Sequence, residues 1–353
     1  MEQPLKYSFV IPVFNRPDEV DELLDSLTRQ SFGAFEVVVV EDGSQVPCHD
    51  VCARHVGKLD LHYFSKPNSG PGQGRNYGVE RARGEYVIIL DSDVVVPPGY
   101  LQAVDDELRR EPCEAFGGPD RAADSFTPTQ KAISYSMTSF FTTGGIRGGK
   151  KKLDKFYPRS FNMGIRRDVY QRLGGFSKMR FGEDIDFSIR IFKAGCHCRL
   201  FPGAWVYHKR RTDFRKFWRQ VFNSGIARIN LYKKYPDSLK LVHLLPMVFT
   251  LGVAFLTLLF IDGLLTSFFS EAPGAGELGR DTMALALAPL ILYSLLIFAD
   301  SARQNHSVKI GLLSVRAAFI QLMGYGCGFL QAWWRRCVRG QDEFTAYEKN
   351  FYK

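Results

Sequence analysis

The chain has 353 residues, of which 45% are hydrophobic and 24% are charged. These values are close to a globular average and exclude a disordered or fibrous chain. The 46 lysines and arginines exceed the 37 acidic residues, and the net charge of +9 suits an anionic partner without identifying it. No apolar segment typical of a signal peptide precedes the first predicted strand, so we expect no secretory signal and free thiols.

Residues 1–235 alternate predicted strands and helices. A nearly continuous apolar run at 7–13 predicts a buried parallel strand, and a helix is expected to begin near Pro17. The same patterns predict further strands at 35–40, 61–64 and 86–90, and helices at 74–83 and from about 183 to 194. This alternation of strands and helices predicts an open, mostly parallel, Rossmann-like sheet with ligands at the carboxyl ends of its strands. The glycine- and lysine-rich stretch 144–152 predicts a loop.

Polar clusters follow three of these strands. They are residues 12–16, 41–44 and 91–93. A turn would explain the Asp-Gly-Ser of the second cluster taken alone. Asp91 and Asp93, two positions apart on a loop, can share a divalent cation. Three such clusters at one edge of a sheet favour a ligand site.

Two further segments carry candidate chemistry. Residues 70–76 form a glycine-rich turn before a helix, where backbone amides and Arg75 could neutralise phosphates. The order of the glycines disfavours both a P-loop nucleotidase and a Rossmann dehydrogenase. Glu183, Asp184 and Asp186 open a predicted helix. Helix capping is the alternative explanation, but three acids exceed what a cap needs, and one could serve as a general base.

Three long uncharged stretches follow residue 240. They occupy residues 241–261, 282–299 and 317–334, and the third lies within a candidate membrane element at 310–334. A bilayer-spanning helix needs about 20 apolar residues, so the first two stretches predict membrane spans. The third is interfacial, re-entrant or a third span, and we favour the first two options because a full span would export the arginines that follow it. A buried helical hairpin of a soluble protein is the alternative for the whole region.

Charge placement predicts the orientation of these spans. Basic residues precede the first apolar stretch, whereas the linker 271–281 carries three acids. Because basic flanks stay in the cytoplasm, we expect the large domain to face the cytoplasm of a bacterial inner membrane. We expect two domains, residues 1–235 and residues 236–353.

Six short motifs resemble, in content and order, those of a family 2 glycosyltransferase with a GT-A fold. They are FVIPVFNR at 9–16, VVVEDGS at 38–44, GQGRN at 72–76, DSD at 91–93, FNMG at 161–164 and GEDID at 182–186. The resemblance extends from residue 7 to about residue 230. It implies an α/β, GT-A catalytic domain followed by a C-terminal α-helical membrane region.

The resemblance also implies roles for individual residues. Nucleotide-sugar binding would involve Pro12, Phe14, Arg16, Glu41, Asp42, Ser44, Arg75, Asp91, Ser92 and Asp93. Asp91, Asp93 and His208 would hold Mg²⁺ or Mn²⁺, and Asp184 would be the catalytic base supported by Glu183. The acceptor or its phosphate would contact Asn162, Arg211, Arg215 and Arg219. The basic run that contains these arginines could equally bind anionic lipid headgroups.

The expected activity is that of a membrane-attached, inverting, metal-dependent glycosyltransferase. It would move one sugar from a UDP- or GDP-sugar to a lipid-linked or glycan acceptor. Two alternatives stay open, a polyprenyl-phosphate glycosyltransferase and a non-catalytic membrane scaffold that retains the fold. Trp218-Arg219-Gln220 departs from the family's processive motif, which favours single transfer, and the Glu41-Asp42 pair leaves the nucleotide base open. Without interleaved aromatic and basic residues, we expect no nucleic-acid partner.

Overall fold

A computed structural model describes residues 5–121, 123, 125–143, 156–179, 181–209 and 211–342. The predicted loop at 144–152 lies outside these residues. The chain forms two compact units. The α/β unit contains the described residues up to 123 and residues 156–209, and the helical unit contains residues 125–143 and 211–342. The domain boundary predicted at residue 235 stays a prediction.

The described part of the chain forms ten strands, all in the α/β unit. They are β1 (Tyr7–Val13), β2 (Phe35–Asp42), β3 (Asp60–Lys66), β4 (Tyr86–Leu90), β5 (Val94–Val95), β6 (Ala115–Gly117), β7 (Asp120–Arg121), β8 (Asn162–Arg166), β9 (Cys198–Leu200) and β10 (Val206–His208). The predicted bounds of β1 and β4 agree with the structure, and β2 and β3 extend beyond their predicted ends.

Twelve α-helices are described. Seven precede or connect strands in the first part of the chain: α1 (Pro17–Thr28), α2 (His49–Ala53), α3 (Pro71–Val79), α4 (Tyr100–Arg110), α5 (Pro128–Thr138), α6 (Phe140–Thr143) and α7 (Arg167–Arg172). The rest are α8 (Glu183–Lys193), α9 (Phe214–Lys234), α10 (Leu245–Phe269), α11 (Ala275–Asn305) and α12 (Val308–Trp333). Helix α3 begins three residues earlier than predicted, because Pro71 suits the first turn of a helix.

The main sheet has seven strands in the order β3-β2-β1-β4-β8-β6-β9. Strands β3, β2, β1 and β4 are parallel neighbours, whereas β8 is antiparallel to both β4 and β6. Every residue of β1 and β2 is buried, as their apolar sequences require when helices cover both faces. The predicted mostly parallel sheet is confirmed. Its parallel register brings the ends of β1, β2 and β4 to one edge.

A small second sheet completes this edge. Strand β10 lies between β5 and β7 in the order β5-β10-β7. Its antiparallel pairing with β5 sets His208 opposite Val94, directly after the Asp91-to-Asp93 loop. A residue more than 100 positions downstream therefore reaches the loop that follows β4.

The helical unit is built around α10, α11 and α12. Each is long and apolar enough to cross a membrane, and together they are the candidate spans found among the described residues. Their bounds contain most of the three predicted apolar stretches, so a C-terminal membrane region is confirmed. Most side chains of α10 and α11 are exposed, whereas α12 is almost half-buried because α5, α9, α10 and α11 pack against it. Glycines at 324, 326 and 328 allow this close packing.

Candidate active site

Three carboxyl ends of strands meet at the candidate site. Strand β1 ends at Val13, between the buried Pro12 and the half-exposed Phe14. Strand β2 ends at the buried Glu41 and Asp42, and β4 leads into Asp91. Their meeting follows from the parallel register of β1 with both neighbours. It is the position where open α/β sheets bind ligands.

Asp91, Asp93 and His208 form a compact group. One ligand atom from each lies within 4.8 Å of the others. Asp93 Oδ1 lies 3.3 Å from His208 Nε2, and the imidazole stacks on the ring of Phe161 at a centroid distance of 4.7 Å. Two carboxylates and an imidazole are a suitable donor set for a divalent cation such as Mn²⁺. The three residues predicted to bind metal are thus brought together.

Arg75 joins two parts of the site. From the buried face of α3, its Nη2 lies 2.7 Å from Asp91 Oδ1, and its Nη1 lies 3.1 Å from Glu183 Oε1. The guanidinium also lies over the ring of Phe176, 5.1 Å from the centroid. Because a buried arginine cannot lose its proton, it is a fixed positive charge between two acids. The sequence indicated a phosphate-binding role for Arg75 but not these ion pairs.

The acids at the start of α8 occupy different environments. Burial raises the pKa of the Glu183 carboxyl to about 7; the Arg75 guanidinium opposes this shift, and Asp184 adds to it. Asp184 is partly exposed, and its Oδ2 accepts a hydrogen bond from Arg159 Nη1 at 3.1 Å. Sequence reasoning missed Arg159, because no motif links it to the acids 25 positions away. The two acids can therefore act differently: Glu183 is buried and held by Arg75, whereas Asp184 is accessible from outside the protein.

Arg16 and Ser92 complete the surroundings of Asp93. Arg16 Nη1 lies 2.9 Å from Asp93 Oδ2 and 2.7 Å from Glu19 Oε2, so its charge is directed at the acidic loop. Ser92 is buried between the two aspartates. Arg16 therefore lies beside Asp93, and its predicted role in binding the nucleotide stays a prediction.

Glu41 accepts hydrogen bonds from inside the protein. Its carboxylate accepts from the Ser44 hydroxyl and, at 2.7 Å, from the backbone N–H of Cys48. Ser44 Oγ in turn accepts from the backbone N–H of Asn15 at 2.7 Å. Glu41 and Ser44 therefore tie the loop after β2 to the end of β1.

Asp42 holds the next loop in the same way. Its carboxylate accepts from Lys66 Nζ, and from the backbone N–H groups of Ser69 at 3.0 Å and Gly70 at 2.8 Å. These contacts fix the glycine-rich turn that leads into α3. They position Arg75, which that helix carries.

The residues predicted to contact the acceptor belong to two different units of the chain. Asn162 is buried, and its amide accepts from Tyr100 Oη at 2.6 Å and donates to the Ala204 carbonyl at 2.8 Å. These bonds brace the α/β unit, and the predicted contact of Asn162 with the acceptor stays a prediction. Arg211, Arg215 and Arg219 belong to the helical unit, where the last two are exposed on the first turns of α9.

Comparison with known proteins identifies a similar domain. Residues 8–174 match the family described as Glycosyl transferase family 2. A pre-mycofactocin glycosyltransferase of Mycobacterium tuberculosis is 29% identical over 235 residues, covering 65% of this chain and 48% of that protein. The probable glycosyltransferase YdaM of Bacillus subtilis is 25% identical over 247 residues, covering 66% and 57% respectively. The chain thus spans about half the length of these curated relatives.

A solved structure extends the likeness to the whole fold. The mannosyltransferase PcManGT of Pyrobaculum calidifontis, solved in complex with GDP-Man and Mn²⁺, superposes with a TM-score of 0.56 at 17% identity. The match covers 94% of this chain and 88% of that one. The predicted resemblance to family 2 glycosyltransferases is therefore confirmed over residues 8–174, and the structural neighbour confirms the GT-A fold.

Proposed function

We propose that the protein is a membrane-attached, inverting glycosyltransferase that moves one sugar from a nucleotide-sugar to a lipid-linked or glycan acceptor. The observation that carries this proposal is the group formed by Asp91, Asp93 and His208, to which Arg75 joins the start of α8 through its ion pair with Glu183, the residue before Asp184. A non-catalytic scaffold would have no need to keep a metal-ligand group next to an accessible carboxylate.

Asp91, Asp93 and His208 would hold Mg²⁺ or Mn²⁺. Their donor atoms already lie close together, and the buried Nδ1 of His208 has no hydrogen-bond partner among the described residues. When bound, the cation would neutralise the negative charge that develops on the departing nucleoside diphosphate. The fold neighbour from Pyrobaculum calidifontis was solved with Mn²⁺ and a GDP-sugar, which supports the same ligand class here.

The chain's own residues prepare the donor side of the site. Arg75, held by Glu183 and Asp91, supplies a fixed positive charge next to the acids without having to reorganise during the reaction. Arg16 adds a second charge at Asp93. We propose that Glu41 and Asp42 act by fixing the loops that surround the nucleotide, with the half-exposed Phe14 offering an apolar surface to its base.

Asp184 is the proposed general base. Arg159 orients one of its oxygens, and partial exposure leaves the carboxylate reachable by an acceptor hydroxyl. The carboxylate takes the hydroxyl proton while the acceptor oxygen attacks the anomeric carbon and the bond to the diphosphate breaks. One displacement of this kind inverts the anomeric centre. A polyprenyl-phosphate acceptor is already anionic and would depend less on Asp184.

The membrane helices suggest where the acceptor is met. Exposed apolar side chains cover α10 and α11, so the enzyme is held at a bilayer that could also hold a lipid-linked acceptor. Basic residues in α9, including Arg215 and Arg219, precede α10, whereas the short linker after α10 is acidic. By the positive-inside rule, we propose that the α/β unit faces the cytoplasm.

The test begins with donor binding. Detergent-purified protein is screened by thermal shift with UDP-, GDP-, dTDP- and CMP-sugars, with and without Mn²⁺. We expect one nucleotide class to raise the melting temperature only when Mn²⁺ is present. The Asp93→Asn variant should lose this shift, whereas Asp50→Asn, which changes an exposed carboxylate, should keep it.

Transfer to acceptors is then measured with membranes and labelled donor. The Asp184→Asn variant should bind donor normally and lose transfer by about 10²–10⁴-fold, as expected for removal of a general base. A product that releases sugar in mild acid would identify a polyprenyl-phosphate acceptor. Full transfer by both the Asp93→Asn and Asp184→Asn variants, shown to be folded, would refute the site assignment.

A further inference from the structure

Helices α5 and α6 form an insert between β7 and β8 that belongs to the helical unit. Helix α5 begins with a capping box made by Thr127 and Gln130. Its apolar residues Ala132, Ile133 and Met137 share a core with residues of α9 and α12. The insert is therefore packed among the helices of the membrane region.

Two hydrogen bonds show which part of α11 the insert lies beside. Tyr135 Oη donates to Asp300 Oδ2 at 2.5 Å, and Tyr293 Oη donates to the carbonyl of Phe141 at 3.1 Å. Asp300 directly follows the uncharged stretch 282–299, which makes it a marker for the edge of the hydrocarbon. Tyr293 is seven residues farther inside, which is about 10 Å at 1.5 Å per helical residue.

The level of Tyr293 is also inside the hydrocarbon when measured from α10. The ring of Phe249 in α10 lies 5.4 Å from the ring of Tyr293, and both contact Phe319 of α12. Phe249 is eight residues into the uncharged stretch that begins at residue 241. Both helices thus place the end of the insert roughly one third of the way across a core about 30 Å thick.

Helix α6 presents aromatic side chains at this level. Phe140 is 72% exposed and Phe141 is 41% exposed, and the two rings lie edge to face. Leu292 and Leu296 are exposed on α11 at the same level. The two phenylalanines therefore extend the apolar surface of the candidate spans.

Several polar groups of α6 have hydrogen-bond partners within the protein. The Ser139 carbonyl accepts from the backbone N–H of Thr143 at 2.9 Å and from its hydroxyl at 3.0 Å. The hydroxyl of Thr142 bonds to the Ser136 carbonyl, and the Phe141 N–H donates to Ser139 Oγ. Hydrocarbon offers no hydrogen bonds, so backbone placed in it needs such partners.

We propose that α6 lies within the bilayer, where Phe140 and Phe141 contact lipid acyl chains. The leaflet concerned is the one whose headgroups lie at the level of Asp300. The occupant of this surface is lipid because its level along α10 and α11 and its exposed aromatic side chains place it in an apolar medium, and the internal hydrogen bonds allow the backbone to lie there. The insert adds a third contact with the membrane, beside the α10–α11 pair and α12. This inference concerns lipid contact and does not depend on the proposed transfer reaction.

The test is a spin-label accessibility measurement on the full chain in phosphatidylcholine and phosphatidylglycerol vesicles. The background carries Cys337→Ser, because Cys337 is the exposed cysteine of the native chain. Spin labels are attached at Phe140→Cys, with Leu258→Cys on α10 as the lipid-exposed control and Val56→Cys in the α/β unit as the water-exposed control. Collision rates are measured with oxygen, which concentrates in lipid, and with a water-soluble nickel chelate.

We expect the ratio of oxygen to nickel collisions at Phe140→Cys to be several-fold above that at Val56→Cys and close to that at Leu258→Cys. A ratio equal to that of Val56→Cys would overturn the proposal by placing α6 in water. Low collision rates with both reagents would also overturn it, because they would show a protein-covered surface. As a second readout, Phe140→Trp should gain fluorescence that acyl-brominated lipids quench, and fluorescence unaffected by these lipids would contradict lipid contact.

Discussion

Replacing Arg75 by methionine removes the positive charge that Asp91 and Glu183 share, at nearly constant side-chain volume. Both ion pairs are short, and the arginine and Glu183 are buried. Removing one partner of a buried pair costs about 3–5 kcal/mol, because an uncompensated charge is left inside. Asp91 is partly exposed and is screened by water, so we expect the Arg75→Met variant to lose ~3 kcal/mol, the lower end of this range.

The loss should depend on pH. Burial raises the pKa of Glu183 from an ordinary 4.5 to about 7, so the folded state holds this proton more tightly than the unfolded state. Its contribution to stability is therefore fully present below pH 4.5 and is lost as the pH rises through about 7. Without Arg75 the pKa of Glu183 rises further. Stability of the Arg75→Met variant should therefore continue to fall above the pH at which the parent levels off.

The assay is denaturation of the detergent-purified full chain, followed by near-ultraviolet circular dichroism over a series of pH values. Arg29→Met is the matched control, since Arg29 pairs with Asp25 at the exposed end of α1 and should change stability by less than about 1 kcal/mol. Adding Glu183→Gln to Arg75→Met should restore part of the loss. The reasoning would be refuted if Arg75→Met were as stable as Arg29→Met, or if the double variant were no more stable than Arg75→Met.

Two further substitutions test the packing of each unit. Glu36→Gln should cost about 1–3 kcal/mol at neutral pH, because the buried carboxylate accepts from Arg83 Nε at 2.7 Å. Although burial opposes ionisation, hydrogen bonds from Ser8 and Arg83 hold the pKa of Glu36 below its ordinary value. The difference in stability between the parent and Glu36→Gln should therefore shrink as acid protonates the carboxylate, and a difference that does not change with pH would contradict this. Gly328→Ala should cost about 1–3 kcal/mol, since a Cβ there would clash with the Phe222 carbonyl, whereas Gly252→Ala has free space; thermal melts that agree for both glycine variants would exclude the close contact.

The strand-end clusters could be predicted because they rely on local patterns. Buried parallel strands read as apolar runs, and polar residues directly after them must share an edge when the strands are parallel. Asp91 and Asp93 are predicted in this way, Asp184 is predicted from the acids that open a helix, and His208 is predicted by resemblance. The placement of His208 beside Asp93 depends on the pairing of β10 with β5, which no local pattern specifies.

Contacts between distant segments could not be predicted from the sequence. Helix α5 is not among the helices predicted from the sequence, and nothing in Ala132 or Ile133 reveals that their partners include Phe217 and Ile310. Likewise, Asn162 follows the pattern of a site residue, but its amide is used to brace Tyr100 and Ala204. The same residue type can stabilise the protein interior or bind a ligand, and only the contacts it makes in the folded structure distinguish the two roles.

The helical unit is built from two segments that are far apart in the sequence, and this affects how it folds during synthesis on the ribosome. The apolar face of α5 is made early, yet α12, against which it packs, begins some 170 residues later at Val308. Until then Ala132, Ile133 and Met137 lack most of the surface that buries them. A nascent chain at this stage exposes an apolar patch of the kind that chaperones or the membrane surface must cover. For the same reason, a chain shortened to its α/β-rich first part would carry α5 without its partners and should be prone to aggregate.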